Sequence, residues 1–264
     1  MMSKYKRIGV MADLNSIVAL NAYKEIMKKY DFIDAMSVSP QECDLVITIG
    51  GDGMMLKALH RYMDHSTPIY GMNRGSVGFL MNDYVFEDLL DHIDKAVETR
   101  LYPLEMRAET LEGEIHAALA VNEVSLLRET NQAAKIRIFV NDEVRLDCLV
   151  ADGVLIATPA GSSAYNFAAY GPIIPLDANI LALTPICPFR PRRWRGALLS
   201  HKSRVRLEVL EADKRPVSAV ADSTEVRNVR SVEITERKDK VLKILFDKQN
   251  MFEERVMKEQ FSSE

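Results

Sequence analysis

The stretch that most constrains this chain is Asp44-Leu45-Val46-Ile47-Thr48-Ile49-Gly50-Gly51-Asp52-Gly53-Met54-Met55-Leu56. A short apolar, β-branched run stops at two glycines. An aspartate and a third glycine follow, and then residues with helical spacing. The pattern predicts strand, tight turn and helix, with a carboxylate at the turn. In open α/β sheets, ligands bind outside the carboxyl ends of such strands. A helix N-terminus offers free N–H groups and a favourable dipole to phosphate, and glycines allow the backbone to approach a ligand closely. The plainer reading of the same four residues is a tight turn with Asp52 as helix cap.

The flanking segments repeat the alternation. Ile8–Ala12 reads as a first strand, and Asp13 or Asn15 as the cap of a helix. In that helix Ile17, Leu20, Ala22, Tyr23, Ile26 and Met27 recur near a 3.6 period as far as about Tyr30. A second helix is expected from about Met54 to Met63, and a third strand at Pro68–Met72. That strand leads into a second glycine-marked turn, Asn73-Arg74-Gly75-Ser76-Val77-Gly78-Phe79-Leu80. Phe86, Leu89, Leu90, Ile93 and Val97 mark a third helix. Strands alternating with helices indicate parallel βαβ units.

The character changes near Leu101-Tyr102-Pro103-Leu104. Beyond it, 136–140, 143–150, 154–158, 205–210 and 241–246 are short and alternating, the signature of antiparallel strands. A short helix from Ser162 to about Ala169 interrupts them. The expected fold is therefore an α/β N-terminal domain with a parallel sheet, residues 1–100, and a mainly β domain, residues 101–247. Residues 248–264 form a charged tail, read as packing back on the first domain.

The composition is that of an ordinary globular chain: 264 residues, 47% hydrophobic and 27% charged. A formal net charge of −4 offers no global positive field to nucleic acid or an anionic membrane. Three scattered cysteines show neither CxxC nor zinc spacing, which fits reduced thiols. No signal peptide and no membrane-spanning apolar stretch is read, so a cytoplasmic protein is expected.

Gly50-Gly51-Asp52-Gly53 is not a P-loop, because no Gly-Lys-Ser/Thr occurs, and Gly-x-Gly-x-x-Gly is missing as well. Lys57, one helical turn beyond Gly53, either reaches a phosphate or is a solvated lysine. Ala120-Val121-Asn122-Glu123-Val124 places a polar pair in an apolar strand. A buried amide or carboxylate there needs partners; the bland alternative is one exposed polar position. The longest motif is Ala151-Asp152-Gly153-Val154-Leu155-Ile156-Ala157-Thr158-Pro159-Ala160-Gly161-Ser162-Ser163-Ala164-Tyr165-Asn166. Pro159 and Gly161 set a turn, Ser162 suits an N-cap, small residues admit a flat ligand, and Tyr165 offers an aromatic face. The arginines 190, 192, 193 and 195 around Trp194 are read as solvated surface or an interface.

Taken in order, these segments resemble bacterial NAD kinases over most of the chain, from Ile8 to about Phe246. The resemblance implies transfer of the ATP γ-phosphoryl group, or one from polyphosphate, to the 2′-hydroxyl of NAD's adenosine ribose, at a site between the two domains. It implies Asp52 as acceptor of the hydroxyl proton, and Gly50, Gly51 and Gly53 as the phosphate turn. Asn122 and Glu123 would hold the adenosine part of NAD, and Asp152 would contact the dinucleotide. Ser163, Ala164, Tyr165 and Ala168 would line the adenine pocket, with Ala160, Asn166 and Phe167 as further nucleotide-binding positions. With no P-loop lysine, the chemistry calls for a divalent metal, expected as Mg2+, whose ligands are unassigned. The partners implied are NAD, ATP and a second copy of the chain, as homodimer or homotetramer. The sequence departs from the family at Met54, where threonine is common, at Ser163 for threonine, at Tyr170-Gly171-Pro172, and at Asp222-Ser223, where Asp-Gly is common. Two other readings compete: a related kinase acting on a lipid, and a non-catalytic NAD(P)-binding regulator.

Overall fold

A computed structural model describes residues 4–75 and 78–248, together with Met257 and Phe261. The chain divides into two compact units. One comprises the residues up to Leu101 and those from Lys240 onward; the other is Tyr102–Asp239.

The first unit is an open α/β sheet. Strand β1 (Ile8–Ala12) lies between β2 (Ile33–Asp34) and β3 (Leu45–Gly50), and β4 (Pro68–Asn73) follows β3, all parallel. All six residues of β3 are buried, as expected of a parallel strand covered on both faces. Helix α1 (Ile17–Lys29) covers one face through Ala19, Ala22 and Ile26, which pack with Ile8, Val10, Leu45, Ile47 and Ile49. Its cap is Ser16, whose hydroxyl accepts the Ala19 N–H at 3.3 Å, rather than the expected Asp13 or Asn15; Asp13 instead accepts the Asn15 N–H. Helix α2 (Asp52–Arg61) buries Met54, Met55, Ala58 and Leu59. Helix α3 (Leu89–Lys95) buries Leu89 and Ile93 and stops before Val97, which opens strand β5 (Val97–Leu101).

The second unit is an antiparallel two-sheet assembly. One sheet contains β6 (Leu104–Thr110), β7 (Ile115–Ala120), β9 (Ala134–Val140), β10 (Glu143–Ala151), β14 (Val205–Val209) and β17 (Val229–Glu236). The other contains β8 (Glu123–Arg128), β11 (Gly153–Ala157), β12 (Ile180–Ile186), β13 (Ala197–Ser200), β15 (Val217–Ala221) and β16 (Thr224–Val226). Alternate residues of both sheets, among them Met106, Ile136, Ile138, Leu207 and Val232 with Val124, Leu126, Val154, Ile156 and Ala219, form one core, as period-two patterning requires. The outward face of β11, Leu155 and Ala157, packs with Ile174, Ala182 and Ile186. That packing seats the segment carrying the 160–168 motif. The motif forms a 3-10 turn, Ala160–Ser163, then a single helical turn, α4 (Tyr165–Ala168).

One strand is not where the sequence suggested. β18 (Leu242–Phe246), expected as part of the antiparallel domain, belongs to the first sheet, parallel to β4 and antiparallel to β5. Leu242 and the consecutive run Ile244, Leu245 and Phe246 are buried, the mark of an interior strand with both faces covered. The tail expected to pack back on the first domain lies outside the described residues, apart from Lys248, Met257 and Phe261. Among the described residues, no helix is long and apolar enough to cross a membrane.

Candidate active site

In the first unit, β3 ends at Gly50 and α2 begins at Asp52, with Gly51 as the capping residue. A side chain at Gly50 would sit 2.9 Å from the Met54 Cβ, so the turn closes only over glycine. Met54, the residue that follows the turn, is buried beneath it. The Asn73–Leu80 turn lies against the first: Arg74 N–H donates to the Gly50 carbonyl at 2.8 Å, and Gly75 faces Gly51. Ser76 and Val77 of this motif lie outside the described residues. Asp52 does not cap its own helix. Its Oδ2 accepts the Phe79 N–H and its Oδ1 the Leu80 N–H, both at 2.9 Å. The carboxylate is thus a clasp between the two glycine turns. Lys57 is exposed, has no ion-pair partner among the described residues, and lines a cleft of about 770 Å³ with residues 11–15, Met36, Met54, His60 and Arg61.

In the second unit, Val121, Asn122 and Glu123 are held from two sides. Asp222, in a left-handed conformation after β15, accepts the N–H groups of all three, at 2.6, 3.0 and 3.3 Å. From the other side, the Thr158 hydroxyl donates to the Val121 carbonyl at 2.7 Å and accepts the Gly161 N–H at 3.0 Å, while Thr158 N–H donates to the Asn122 carbonyl at 2.9 Å. Gly161 abuts the same backbone, and a Cβ there would lie 2.1 Å from the Asn122 oxygen. The backbone of this turn is therefore fully used, and two side-chain atoms are not: Asn122 Oδ1 and Glu123 Oε2 are buried without a hydrogen-bond partner. Such atoms are costly unless a ligand completes them. Burial, reinforced by the charge of Asp222, pushes the Glu123 carboxyl up to about 7.

The longest motif divides into a brace and an exposed face. Asn166 is fully buried; its amide donates to the Ser162 and Pro172 carbonyls, and its oxygen accepts the Thr184 hydroxyl at 2.6 Å. Ser162 is no N-cap. Its hydroxyl donates to the Pro159 carbonyl and accepts the Ile174 N–H, and α4 has no side-chain cap. Ala160 is buried, and Ser163 and Ala164 are half-buried. Tyr165, Phe167 and Ala168 are exposed. Tyr165 and Ala168 line a cleft of about 320 Å³ with Cys187, Arg193, Trp194 and Arg195. Burial, then the charges of Cys187, Glu123 and Asp152, raise the Tyr165 phenol. Asp152 is paired with Arg128, Nε to Oδ1 at 2.6 Å. Sequence reasoning missed this arginine, the Thr158 clamp, and the role of Asp222, for which a polar Asp-Ser after a strand was the available signal.

Residues 15–101 match the ATP-NAD kinase N-terminal domain and residues 121–239 the ATP-NAD kinase C-terminal domain. The NAD kinase of Caulobacter vibrioides is 56% identical over 226 residues, 86% of this chain and 87% of that protein.

The chain belongs to the ATP-NAD kinase family.

The NAD kinase of Brucella suis is 51% identical over 92% of this chain and 93% of its own. The fold matches yeast NADH kinase complexed with NADH, with a TM-score of 0.83 at 20% identity over 99% of this chain and 92% of that one. It also matches an NAD kinase from Archaeoglobus fulgidus in complex with ATP, with a TM-score of 0.78 at 22% identity over 98% of this chain and all of that one. Family membership accounts for the ordered appearance of the two glycine turns, Asn122-Glu123 and the 152–166 motif in one chain.

Proposed function

We propose that this protein is an NAD kinase, moving the γ-phosphoryl group of ATP to the 2′-hydroxyl of NAD's adenosine ribose. The observation that carries the reading is the pair of unsatisfied buried acceptors, Asn122 Oδ1 and Glu123 Oε2, on a backbone clamped by Asp222 and Thr158. Buried acceptors call for donors, and ribose hydroxyls are donors of that kind. Tyr165 and the small residues around it supply a face for adenine. In the first unit, the glycine turn at the start of α2 suits the phosphates of the donor, and Lys57 supplies a free positive charge at the neighbouring cleft.

Phosphoryl transfer has a loose transition state, so positioning and charge neutralisation carry most of the rate. A divalent cation supplies that neutralisation when bound. Mg2+ commonly binds through substrate phosphates with one or two carboxylates, and such an ion would fit a donor held at the glycine turn. A homo-oligomer working in the cytoplasm completes the proposal.

The test is NADP formation by purified protein given NAD, ATP and magnesium. Turnover supports the kinase. NAD binding without turnover would favour the regulator, and turnover of a lipid alcohol in place of NAD would favour the other kinase class.

A further inference from the structure

The first sheet reverses the direction of its strand order beside the glycine turn. Its parallel strands run β2-β1-β3-β4, so the chain leaves β1 to one side for β2 and to the other for β3. In open α/β sheets such a switch opens a crevice outside the carboxyl ends of the two strands. The cleft of about 770 Å³ lies there. Met11 and Ala12 end β1, Asp13, Leu14 and Asn15 follow it, and Met54 and Lys57 lie on α2. The cleft adjoins the turn itself, since a Cβ at Gly50 would meet the Met54 Cβ at 2.9 Å and the Asp13 Cβ at 3.4 Å.

Its walls and its charge define what it accepts. Leu14, on the loop after β1, and Met36, on the loop after β2, are 62% and 59% exposed. Met11, Pro40 and Met54 line the same space. Apolar walls with a few polar groups suit a flat ring, and methionine sulfur makes favourable contacts with aromatic edges. The charge is positive, because Lys57 and Arg61 face one carboxylate, Asp13, in a chain of net charge −4. Arg61 builds a wall: its Nη2 donates to the Ala35 and Val38 carbonyls at 3.2 and 2.8 Å, tying the segment that carries Met36 to α2. Asp13 accepts the Asn15 N–H at 3.1 Å. Lys57 is exposed and has no ion-pair partner among the described residues, which leaves its ammonium to an anion.

Resting on the NAD kinase reading, we infer that this cleft seats the nucleoside of the phosphoryl donor, with Leu14 and Met36 as the residues that favour ATP over inorganic polyphosphate. The base packs on Leu14 and Met36, the phosphate chain passes Lys57, and its end reaches the glycine turn at the start of α2. The N–H groups of that turn serve the phosphates of either donor. The apolar walls add affinity only where a base is attached. All of these residues belong to the first unit.

The experiment compares wild type, the double variant Leu14→Ser with Met36→Ser, and Lys57→Gln. All three side chains are exposed, so Tm should be unchanged. Calorimetry is run with magnesium and saturating NAD, which fills the nucleotide face at Tyr165. The ligands are the non-hydrolysable ATP analogue AMP-PNP and, separately, inorganic tripolyphosphate. The double variant should bind AMP-PNP about tenfold more weakly and tripolyphosphate within about twofold of wild type. Its KM for ATP should rise in step, while its KM for NAD stays in place. Lys57→Gln should weaken both ligands alike. Methyl-methionine NMR gives the location: the Met36 resonance should move with AMP-PNP and stay still with tripolyphosphate. A double variant that binds AMP-PNP and uses ATP as wild type does, or a Met36 resonance that AMP-PNP leaves in place, overturns the inference while the kinase reading stands. A wild type that makes no NADP overturns the kinase reading, and the donor's role with it.

Discussion

Asp52 and Glu123 each sit where a strand meets a polar turn, and in each turn a carboxylate gathers backbone N–H groups. In the first unit that carboxylate is Asp52 itself, closed onto Phe79 and Leu80. In the second unit the task falls to Asp222, which holds Val121, Asn122 and Glu123 and leaves Glu123 Oε2 without a partner. One turn has used its acid to build itself. The other has brought in an acid from 101 residues away and has left its own with a buried, unpartnered oxygen. An aspartate in a conspicuous glycine motif can thus bond the backbone of its own turn, while the acid of a less conspicuous dipeptide keeps a buried oxygen unpartnered.

The contrast can be broken at several points. The largest effect on folding should come from Gly161→Ala. Its Cβ would lie 2.1 Å from a backbone oxygen that is itself hydrogen-bonded, so no side chain can move aside. A loss of more than ~3 kcal/mol in denaturant unfolding is expected.

Next is the stability of Glu123→Gln as a function of pH, without ligand. In the folded protein the Glu123 carboxyl is raised from 4.5 to about 7. Its favourable contribution is fully present below about pH 4.5 and is lost as pH rises through about 7. At about 1.4 kcal/mol per pKa unit, the wild type should forfeit up to ~3 kcal/mol by pH 8. The glutamine variant should not, so its Tm should exceed that of wild type at pH 8 and match it near pH 5. Equal pH profiles would remove the claim that Glu123 is desolvated.

A smaller effect is expected from Asp52→Asn, which weakens charge-assisted bonds worth ~1.5–3 kcal/mol. Amide exchange should quicken at Phe79 and Leu80 and stay unchanged at Val121, Asn122 and Glu123. Exchange that rises in both turns would mean the clasp is not local. The smallest is Ser16→Ala at the cap of α1, about 1 kcal/mol, which should leave NADP formation untouched.

Much of this was legible beforehand. The β3–α2 turn could be read because a fully buried parallel strand is a continuous apolar run, and the glycines that end it admit no side chain. The 152–166 motif could be read because turn chemistry is local. Three features could not. β18 looked like one more short antiparallel strand, and its seat in the first sheet depends on pairing with Pro68–Asn73, far away in the chain. Asp222 reaches the Asn122-Glu123 backbone across a hundred residues, a contact no local pattern encodes. Ser162 had the composition of a cap, but Ile174 and Pro159 claim its hydroxyl. The difference between Asp52 and Glu123 belongs with these three, since both are acids beside a polar turn until their hydrogen-bond partners are known.

The most direct measurement is the titration of the Glu123 carboxyl itself, by carbon-13 NMR of carboxyl-labelled glutamate in the ligand-free protein, assigned with Glu123→Gln. The account predicts a midpoint near 7, moving down in Asp222→Asn. A midpoint near the ordinary 4.5 would contradict it.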